Sequence, residues 1–522
     1  MTFELMDMLE QNCRGPAGDR RAVSVDGAHV TYRQLRDRAL GLAAGLKSLG
    51  VEVGTSVGMM MGNRIEHIEA IFAVSALGGV FVPINVLFRG EEAMYLCSNS
   101  DVTVLLADEH AHRAIAVLSE LVPTVVVVGG AKVPGAIAYE SLVLAPDDFG
   151  APAPAADRTL AHYYTSGTTG RPKAAVHTHS TLLHNAFQWK DDVKFTDADV
   201  FLGISSLTWA AGLNSGPLAL LMAGGEVALH PTGGVTVESI IDHVIASRAT
   251  CTVIAPTMLR KLSLNPEQMA RLRETPLRMV FSGGEPLPAE IIEALGVGVP
   301  NVGFCQGYGL TEFPTMACAL MPHEAVAQAG KTGRATTGVR IAVRTSAGTI
   351  QDAGSGELLI RSNATMVSYL DQPEETERAF ADGWLNTGDL VTIDEHGYVT
   401  ITGRSKEVII SGALNIYPAE IERLILQFDG VEEVAVIGIP DPEWGEVPVA
   451  VLRIADGGPS PEEILDRCRK NLATYKVPRR IIATSAELPR TVSGKLRKPS
   501  IKEWALTHST LRSNVTQTVV SS

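Results

Sequence analysis

Along the chain, short runs of β-branched and aliphatic residues alternate with longer segments whose apolar positions recur every three to four residues. Tyr32 to Leu49 has the spacing of an amphipathic helix, whereas Val102-Thr103-Val104-Leu105-Leu106 and Pro123 to Val128 have the continuous apolar character of buried strands. Such alternation predicts α/β layers built on parallel sheets. Met279-Val280-Phe281 and Glu357-Leu358-Leu359-Ile360 are further strand-like runs beside glycine-rich turns, and in sheets of this kind ligands bind at the carboxyl ends of the strands. From residue 404 the texture changes. Val408-Ile409-Ile410, Val434 to Ile439 and Val447 to Val451 read as strands, separated by the helix-like Pro418 to Phe428 and Pro461 to Leu472. This is a compact α+β module of domain size. Ala151 to Ala156 reads as a surface linker, and the Ser/Thr-rich end, Leu506 to Ser522, has little to bury and is expected to fray. No internal repeat is visible.

Length supports this division, because 522 residues exceed what one hydrophobic core normally serves. With 45% hydrophobic and 20% charged residues the composition is globular, and 49 glycines with 28 prolines imply many tight turns. The formal charge of -14, from 44 basic and 58 acidic residues, argues against a surface that wraps nucleic acid. An anionic ligand must therefore meet a local basic site. Six cysteines lie scattered without CxxC or CxH spacing, which suggests neither a zinc module nor a disulfide scaffold and fits a reducing cytoplasm best. The start, MTFELMDMLEQ, has no basic region followed by an apolar one, so no signal peptide is read. Apolar runs such as Val125 to Val128 are too short to cross a bilayer, so no integral membrane segment is expected.

The candidate chemistry centres on Tyr163-Tyr164-Thr165-Ser166-Gly167-Thr168-Thr169-Gly170-Arg171-Pro172-Lys173, where two glycines, four Ser/Thr hydroxyls and two cations fall within eleven residues. Glycine lets backbone N–H groups turn toward oxyanions, hydroxyls add donors, and the cations supply charge, as a triphosphate requires. The order is not that of a Walker A loop, and Pro172 stands where that motif would start its helix. A solvated Gly/Thr loop is the bland alternative. Gln306-Gly307-Tyr308-Gly309-Leu310-Thr311-Glu312 combines an aromatic ring to stack on a base with a carboxylate for a magnesium ion, or else is a strand-turn with a core tyrosine. Trp384-Leu385-Asn386-Thr387-Gly388-Asp389 ends in a carboxylate able to take two ribose hydroxyls, or is a solvated turn. Gly403-Arg404-Ser405-Lys406-Glu407 and Pro489 to Lys495 offer cations in short loops, which surface charge would equally explain.

In their order along the chain these segments resemble the ANL superfamily of adenylate-forming enzymes, the acyl- and aryl-CoA synthetases, adenylation domains and luciferases. The likeness runs from Tyr32 to Lys498 and includes Asn415-Ile416-Tyr417-Pro418-Ala419-Glu420 and the terminal Ser493-Gly494-Lys495. It implies an α/β fold with a large N-terminal domain of stacked α/β subdomains over 1–403, a smaller mobile α+β domain over 404–505, and a tail over 506–522. It also implies a two-step reaction, in which a carboxylate attacks the α-phosphate of ATP and the acyl-adenylate then passes to the thiol of coenzyme A. Thr165, Ser166, Gly167, Thr168, Thr169, Gly170 and Lys173 would hold the phosphates, and Glu312 with Thr168 would hold Mg2+. Gly284, Glu285, Gln306, Gly307, Tyr308, Gly309 and Thr311 would take the adenine side, and Asp389 and Arg404 the ribose. Lys495 would bridge the carboxylate and the α-phosphate, Lys406 would be the hinge, and Ser411 and Gly412 would line the thiol's path. Around the acid, the likeness places His184, Trp209, Gly212, Gly283, Gly307, Leu310 and Met316.

Two features depart from the commoner pattern. Ser206-Leu207-Thr208-Trp209-Ala210-Ala211-Gly212 has Trp209 where many fatty-acyl and coumaroyl-type members carry histidine, and Gly283-Gly284-Glu285-Pro286-Leu287-Pro288 has glutamate where alanine is commoner. Trp209 is similar to the acetyl- and medium-chain acyl-CoA synthetases and the glutamate to the medium-chain and benzoate-type branch, whereas Tyr308 to Glu312 and Asn415 to Pro418 look equally at home among fatty-acid and aryl ligases, and core packing explains Trp209 equally well. No aspartate lies between Gly203 and Gly224 to meet an ammonium, which disfavours an amino acid. A medium-chain, cyclic or aromatic monocarboxylate is expected, with neighbours differing by one methylene poorly separated. The alternative acceptor is a carrier-protein phosphopantetheine, an amine or another group. His177 and His179 lack a third ligand for a metal, and Cys305 lacks a histidine partner for nucleophilic work. The expected partners are thus small molecules, with room for a homodimer.

Overall fold

The computed structural model describes residues 3–130, 133–145, 151–153, 155–165, 172–284, 287, 289–411, 414–442, 444–491, 494–508 and 516–519. Two compact units emerge, the first comprising Met1–Ile341, Ile360–Asn386 and Gly397–Val399, the second Ala342–Leu359, Thr387–His396 and Thr400–Ser522.

The helix Tyr32–Ser48 illustrates how local sequence sets the elements of the first unit. Thr31 and Gln34 cap its start reciprocally, and Tyr32, Leu35, Ala39, Leu42 and Leu46 recur on one face and are buried. An eight-stranded sheet runs in the order Ser368–Tyr369, Lys173–Thr178, Thr159–Thr165, Val80–Pro83, Ser56–Met60, Val102–Ala107, Thr124–Val127 and Ile137–Ala138. Pairing is parallel from Thr159–Thr165 outward to Ile137–Ala138, as the alternation predicts. The crossover helix Ile65–Ala76 is buried along almost its whole length, which accounts for its lack of a polar face. A nine-stranded sheet contains the parallel run Glu226–Leu229, Val200–Gly203, Cys251–Val253, Met279–Gly283 and Gly303–Leu310. At the end of Gly303–Leu310 the chain turns back antiparallel into Phe313–Leu320. Gly283 and Leu310 therefore both lie at carboxyl ends of parallel strands, where a ligand is expected.

The second unit groups Ala342–Leu359 and Thr387–His396 with the residues from Thr400, and one sheet links the first two segments to the start of the third. In it Trp384–Ile393 lies beside Gly354–Arg361 and also pairs with Val399–Arg404. A second sheet runs Leu414–Ile416, Ile409–Ser411, Gly445–Ile454, Arg480–Thr484 and Thr516–Val519, with Val431–Asp441 paired along Gly445–Ile454. Ile421 and Ile425 of the helix Pro418–Ile425 pack into its core with Val434, Leu452 and Ile464. The frayed end expected from Leu506 does not extend to Leu506, Thr507 and His508, which close the helix Lys498–His508, nor to Thr516–Val519, which pairs antiparallel with Arg480–Ala483. Thr-Gln-Thr-Val has the alternation and β-branching that an edge position accepts. All six cysteines are buried and unpaired, so Cys305 is a small core residue. Among the described residues no helix is long and apolar enough to cross a membrane.

Candidate active site

Thr165 and Lys173 face each other across the antiparallel pair Thr159–Thr165 and Lys173–Thr178. Between them Ser166, Gly167, Thr168, Thr169 and Gly170 lie outside the described residues, as do Glu285 and Gly412 elsewhere. The base of the loop is firmly held. Tyr163 packs edge-on against Phe81 and His177 at 5.8 Å in each case, and the Tyr164 hydroxyl meets Ser100 Oγ at 2.7 Å. Tyr95 donates to the Pro172 carbonyl at 3.0 Å. An aromatic platform of this kind fixes the two strand ends.

Lys173 pairs with Glu375, and its ammonium lies 5.1 Å from the centre of the Tyr369 ring. Tyr369 in turn donates its hydroxyl to Glu312 Oε1 at 2.6 Å. Burial, with the Glu312 charge beside it, pushes this phenol well above its ordinary value, so it stays a donor. Glu312 is itself pinned through the backbone, since Met366 N–H donates to its carbonyl at 2.8 Å. The neighbouring Thr311 carbonyl accepts from His177 Nε2 at 2.9 Å; burial lowers that histidine to about 4, leaving it neutral. His179 is separately engaged by Leu5 N–H at 3.2 Å, so the two histidines do not form a metal pair.

Gln306 and Tyr308 are buried on Gly303–Leu310, where Gln306 Oε1 accepts from Leu287 N–H at 3.3 Å. Gly309 is required by close approach, because a Cβ there would come within 2.6 Å of Thr315 Cα. Gly307 is half-buried and faces Met316, Leu310 and Thr311 are half-buried at the turn, and Gly283 and Gly284 end the adjacent strand. Just past the turn, Thr315 and Met316 take left-handed backbone at φ 66° and 57°. That conformation costs a non-glycine residue on the order of 1 kcal/mol or more and persists only where surroundings impose it. The helix His179–Val193 does so: Asn185 Nδ2 donates to the Thr315 carbonyl at 3.0 Å, Trp189 Nε1 to Thr315 Oγ1 at 3.0 Å, and Gln188 Nε2 to the Met316 carbonyl. Asn185, Gln188 and Trp189 escaped the sequence reading, although their spacing of three and four on one helix face was a visible signal.

Trp209 stands immediately before the short helix Ala210–Asn214, half-buried and edge-on to Phe88 at 6.1 Å. Its loop is clamped from below. Asn63 accepts from Leu207 N–H at 2.9 Å while donating to the Ser205 and His230 carbonyls, and Asn85 donates to Thr208 Oγ1 at 2.8 Å. Gly212 is obligatory, since a Cβ would lie 1.9 Å from the Ser206 carbonyl oxygen. His184 is placed differently from its expected companions. It lies on the exposed face of its helix and lines a groove of about 660 Å³ with Phe187, Gln188, Asp191 and Thr337, whereas none of the other six residues expected around the acid lines that groove.

In the second unit Asp389 is buried within Trp384–Ile393, and its Oδ1 lies 3.0 Å from Arg404 Nε. Gly388, at φ 72°, donates its N–H to Glu357 Oε1 at 3.0 Å, and Thr387 Oγ1 donates to the Leu358 carbonyl at 2.8 Å. The Thr-Gly-Asp segment is therefore a fixed kink in a strand and not a solvated turn. Lys406 is exposed in the single turn Ser405–Glu407, and Ser411 is buried at the end of Ile409–Ser411. Lys495 is exposed on a tight turn closed by Thr491 N–H to the Lys495 carbonyl at 2.7 Å and Gly494 N–H to the Thr491 carbonyl at 2.9 Å.

Residues 9–370 match the model of the AMP-binding enzyme family, and residues 420–495 match that of the AMP-binding enzyme C-terminal domain. Long-chain-fatty-acid–CoA ligase FadD13 of Mycobacterium tuberculosis is 33% identical, over 91% of this chain and 93% of its own. Feruloyl-CoA synthase of an Amycolatopsis species is 34% identical, over 92% and 95%. Among solved structures, the anthranilate CoA ligase AuaEII in complex with anthranoyl-AMP superposes with a TM-score of 0.88 at 25% identity, covering 98% of each chain. With the family model spanning residues 9–370 and a CoA ligase 33% identical over 91% of the chain, the chain belongs to the AMP-binding enzymes of the ANL superfamily.

Proposed function

We propose that this AMP-forming acyl-CoA ligase activates a medium-chain, cyclic or aromatic monocarboxylate. The observation that carries the reading is the Trp209–Phe88 contact above the Asn63 and Asn85 clamps, which sets a rigid aromatic surface where the family binds its acid. Such a surface rewards apolar area and offers no anion to an ammonium. The relatives named for feruloyl, anthranilate and long-chain fatty acids support an apolar acid of this breadth.

Each residue's role follows from its chemistry. Lys173, with the hydroxyls and backbone of the loop it closes, binds the β- and γ-phosphates. Asp389 accepts the ribose hydroxyls while Arg404 holds its carboxylate in place, and Tyr308 stacks on adenine. Glu312, with Thr168, holds Mg2+, for which carboxylate and hydroxyl oxygens are the fitting hard donors. Bound there, the ion neutralises charge on the departing pyrophosphate. Lys495 stabilises the charge that develops as the carboxylate attacks the α-phosphate. The C-terminal domain, taken as 404–505 with its hinge at Lys406, brings Lys495 in for adenylation and withdraws it for thiolysis, when Ser411 and Gly412 line the path of the CoA thiol. Buried, unpaired cysteines support a reducing compartment.

The test is a panel of carboxylates, from acetate to palmitate with benzoates, cinnamates and cyclohexanecarboxylate. Pyrophosphate release is scored with and without CoA, and the product is identified by mass. CoA-dependent turnover on a medium-chain or aryl acid is the expected result. Pyrophosphate release without any acyl-CoA would replace CoA by a carrier-protein thiol or an amine as acceptor.

A further inference from the structure

Tyr369 belongs to none of the segments that bind ATP in the reading above, yet it touches two of them. Its hydroxyl donates to Glu312 Oε1 at 2.6 Å, and its ring face lies 5.1 Å from the Lys173 ammonium. The ring is held from its own backbone. Ser368 and Tyr369 pair antiparallel with Val176 and Ala175, on the strand that begins at Lys173, and Tyr369 N–H donates to Thr376 Oγ1 at 2.9 Å. The helix Pro373–Ala379, one turn further on, supplies Glu375 to Lys173.

We infer that Tyr369 is a positioning residue, whose hydroxyl orients the Glu312 carboxylate for Mg2+ and whose ring guides Lys173 toward the nucleotide phosphates. The inference rests on the reading of Glu312 as the metal ligand. A glutamate has three rotatable bonds and, at a half-buried turn, several rotamers open to it. A hydrogen bond from a phenol fixed by strand pairing selects one of them before the ion arrives. Outer partners of this kind orient a ligand without touching the metal, and their loss costs about 10- to 100-fold in metal affinity. Glu375 completes the arrangement by holding Lys173 near the Tyr369 ring until phosphate oxygens compete for the ammonium.

The experiment is a titration of free Mg2+ against ATP, read both by nucleotide-induced thermal stabilisation and by pyrophosphate release, on wild type, Tyr369→Phe, Glu312→Gln and the double variant. Phenylalanine keeps the ring, the strand pairing and the Lys173 contact, so the unliganded melting temperature is expected within about 2 °C of wild type. Tyr369→Phe is expected to raise the half-saturating Mg2+ about tenfold, to leave ATP binding in EDTA unchanged, and to add nothing in the Glu312→Gln background. A wild-type Mg2+ dependence for Tyr369→Phe, alongside a shifted one for Glu312→Gln, would overturn the role of Tyr369 alone. Equal weakening of ATP binding with and without Mg2+ would overturn it too, leaving only a packing role. Should Glu312→Gln itself leave the Mg2+ dependence untouched, the metal reading of Glu312 falls, and this inference with it.

Discussion

Lys498 and Glu407 form an ion pair at 2.7 Å that joins the segment carrying Lys495 to the turn carrying Lys406. Glu422, from the helix Pro418–Ile425, approaches the same ammonium at 2.9 Å. Burial alone would lower the Lys498 pKa, but Glu422 and Glu407 outweigh it and raise it. The partly buried cation thus binds three elements of the second unit at one point. Replacing it by methionine leaves two partly buried carboxylates facing each other, and is expected to cost about 2–4 kcal/mol of stability. Urea unfolding of Lys498→Met measures this; a change under about 0.5 kcal/mol would mean that water already screens the cluster.

Lys495 is exposed on its tight turn, so its removal should leave the fold intact. Lys495→Ala is expected to slow adenylation by about 10²- to 10³-fold or more, while thiolysis of a supplied acyl-adenylate continues. Comparing the two half-reactions decides the matter. Equal loss in both would contradict a lysine that serves the first step only.

Trp189 supports the turn at Thr315 and Met316 through its Nε1 donation to Thr315 Oγ1 and its packing on Phe281 at 4.8 Å between ring centres. In Trp189→Phe most of the packing survives and the hydrogen bond is lost, at about 1 kcal/mol. The KM for the acid is expected to rise severalfold while the KM for ATP stays within about twofold, since Met316, whose turn the helix of Trp189 holds, is among the residues expected from the sequence to surround the acid. A rise confined to ATP would show that this turn serves the nucleotide.

Burial lowers His67, His162 and His179 from 6.5 to about 4, so all three are neutral in the folded chain near neutral pH. In the unfolded chain they titrate near 6.5. Below that value the unfolded state binds protons that the folded state refuses, and stability falls with pH. Each contribution, up to about 3 kcal/mol, is fully present above pH 6.5 and is lost progressively between roughly 6.5 and 4. Denaturation midpoints at several pH values check this; a flat profile from pH 7 to 5 would mean that the imidazoles protonate in place.

Much of the molecule was open to reading from its residues. Tyr32–Ser48 announced itself through an apolar stripe, and Val102–Ala107 through a β-branched and aliphatic run. Both signals are local, so they survive without tertiary context. The boundaries were less accessible. Val431–Asp441 extends beyond the expected Val434 to Ile439 because its partner Gly445–Ile454 supplies ladder hydrogen bonds to residues that are not themselves apolar. Pairing likewise drew Thr516–Val519 into a sheet, and grouped Ala342–Leu359 with the C-terminal unit.

The chemistry divides along the same line. Glycines, hydroxyls, cations and carboxylates in a given order specify what can be bound, because a residue's charge and donors travel with it wherever the chain goes. From these came the nucleotide, the activated carboxylate and the roles proposed for Lys173, Glu312, Asp389 and Lys495. Orientation does not travel in that way. Only the folded chain brings Tyr369 onto Glu312 across a sequence separation of 57, lets Asn63 hold the loop of Trp209, and turns His184 onto the exposed face of its helix. Contacts between segments distant in sequence depend on strand register and helix packing, and those are settled by the joint burial of many apolar side chains rather than by any one motif.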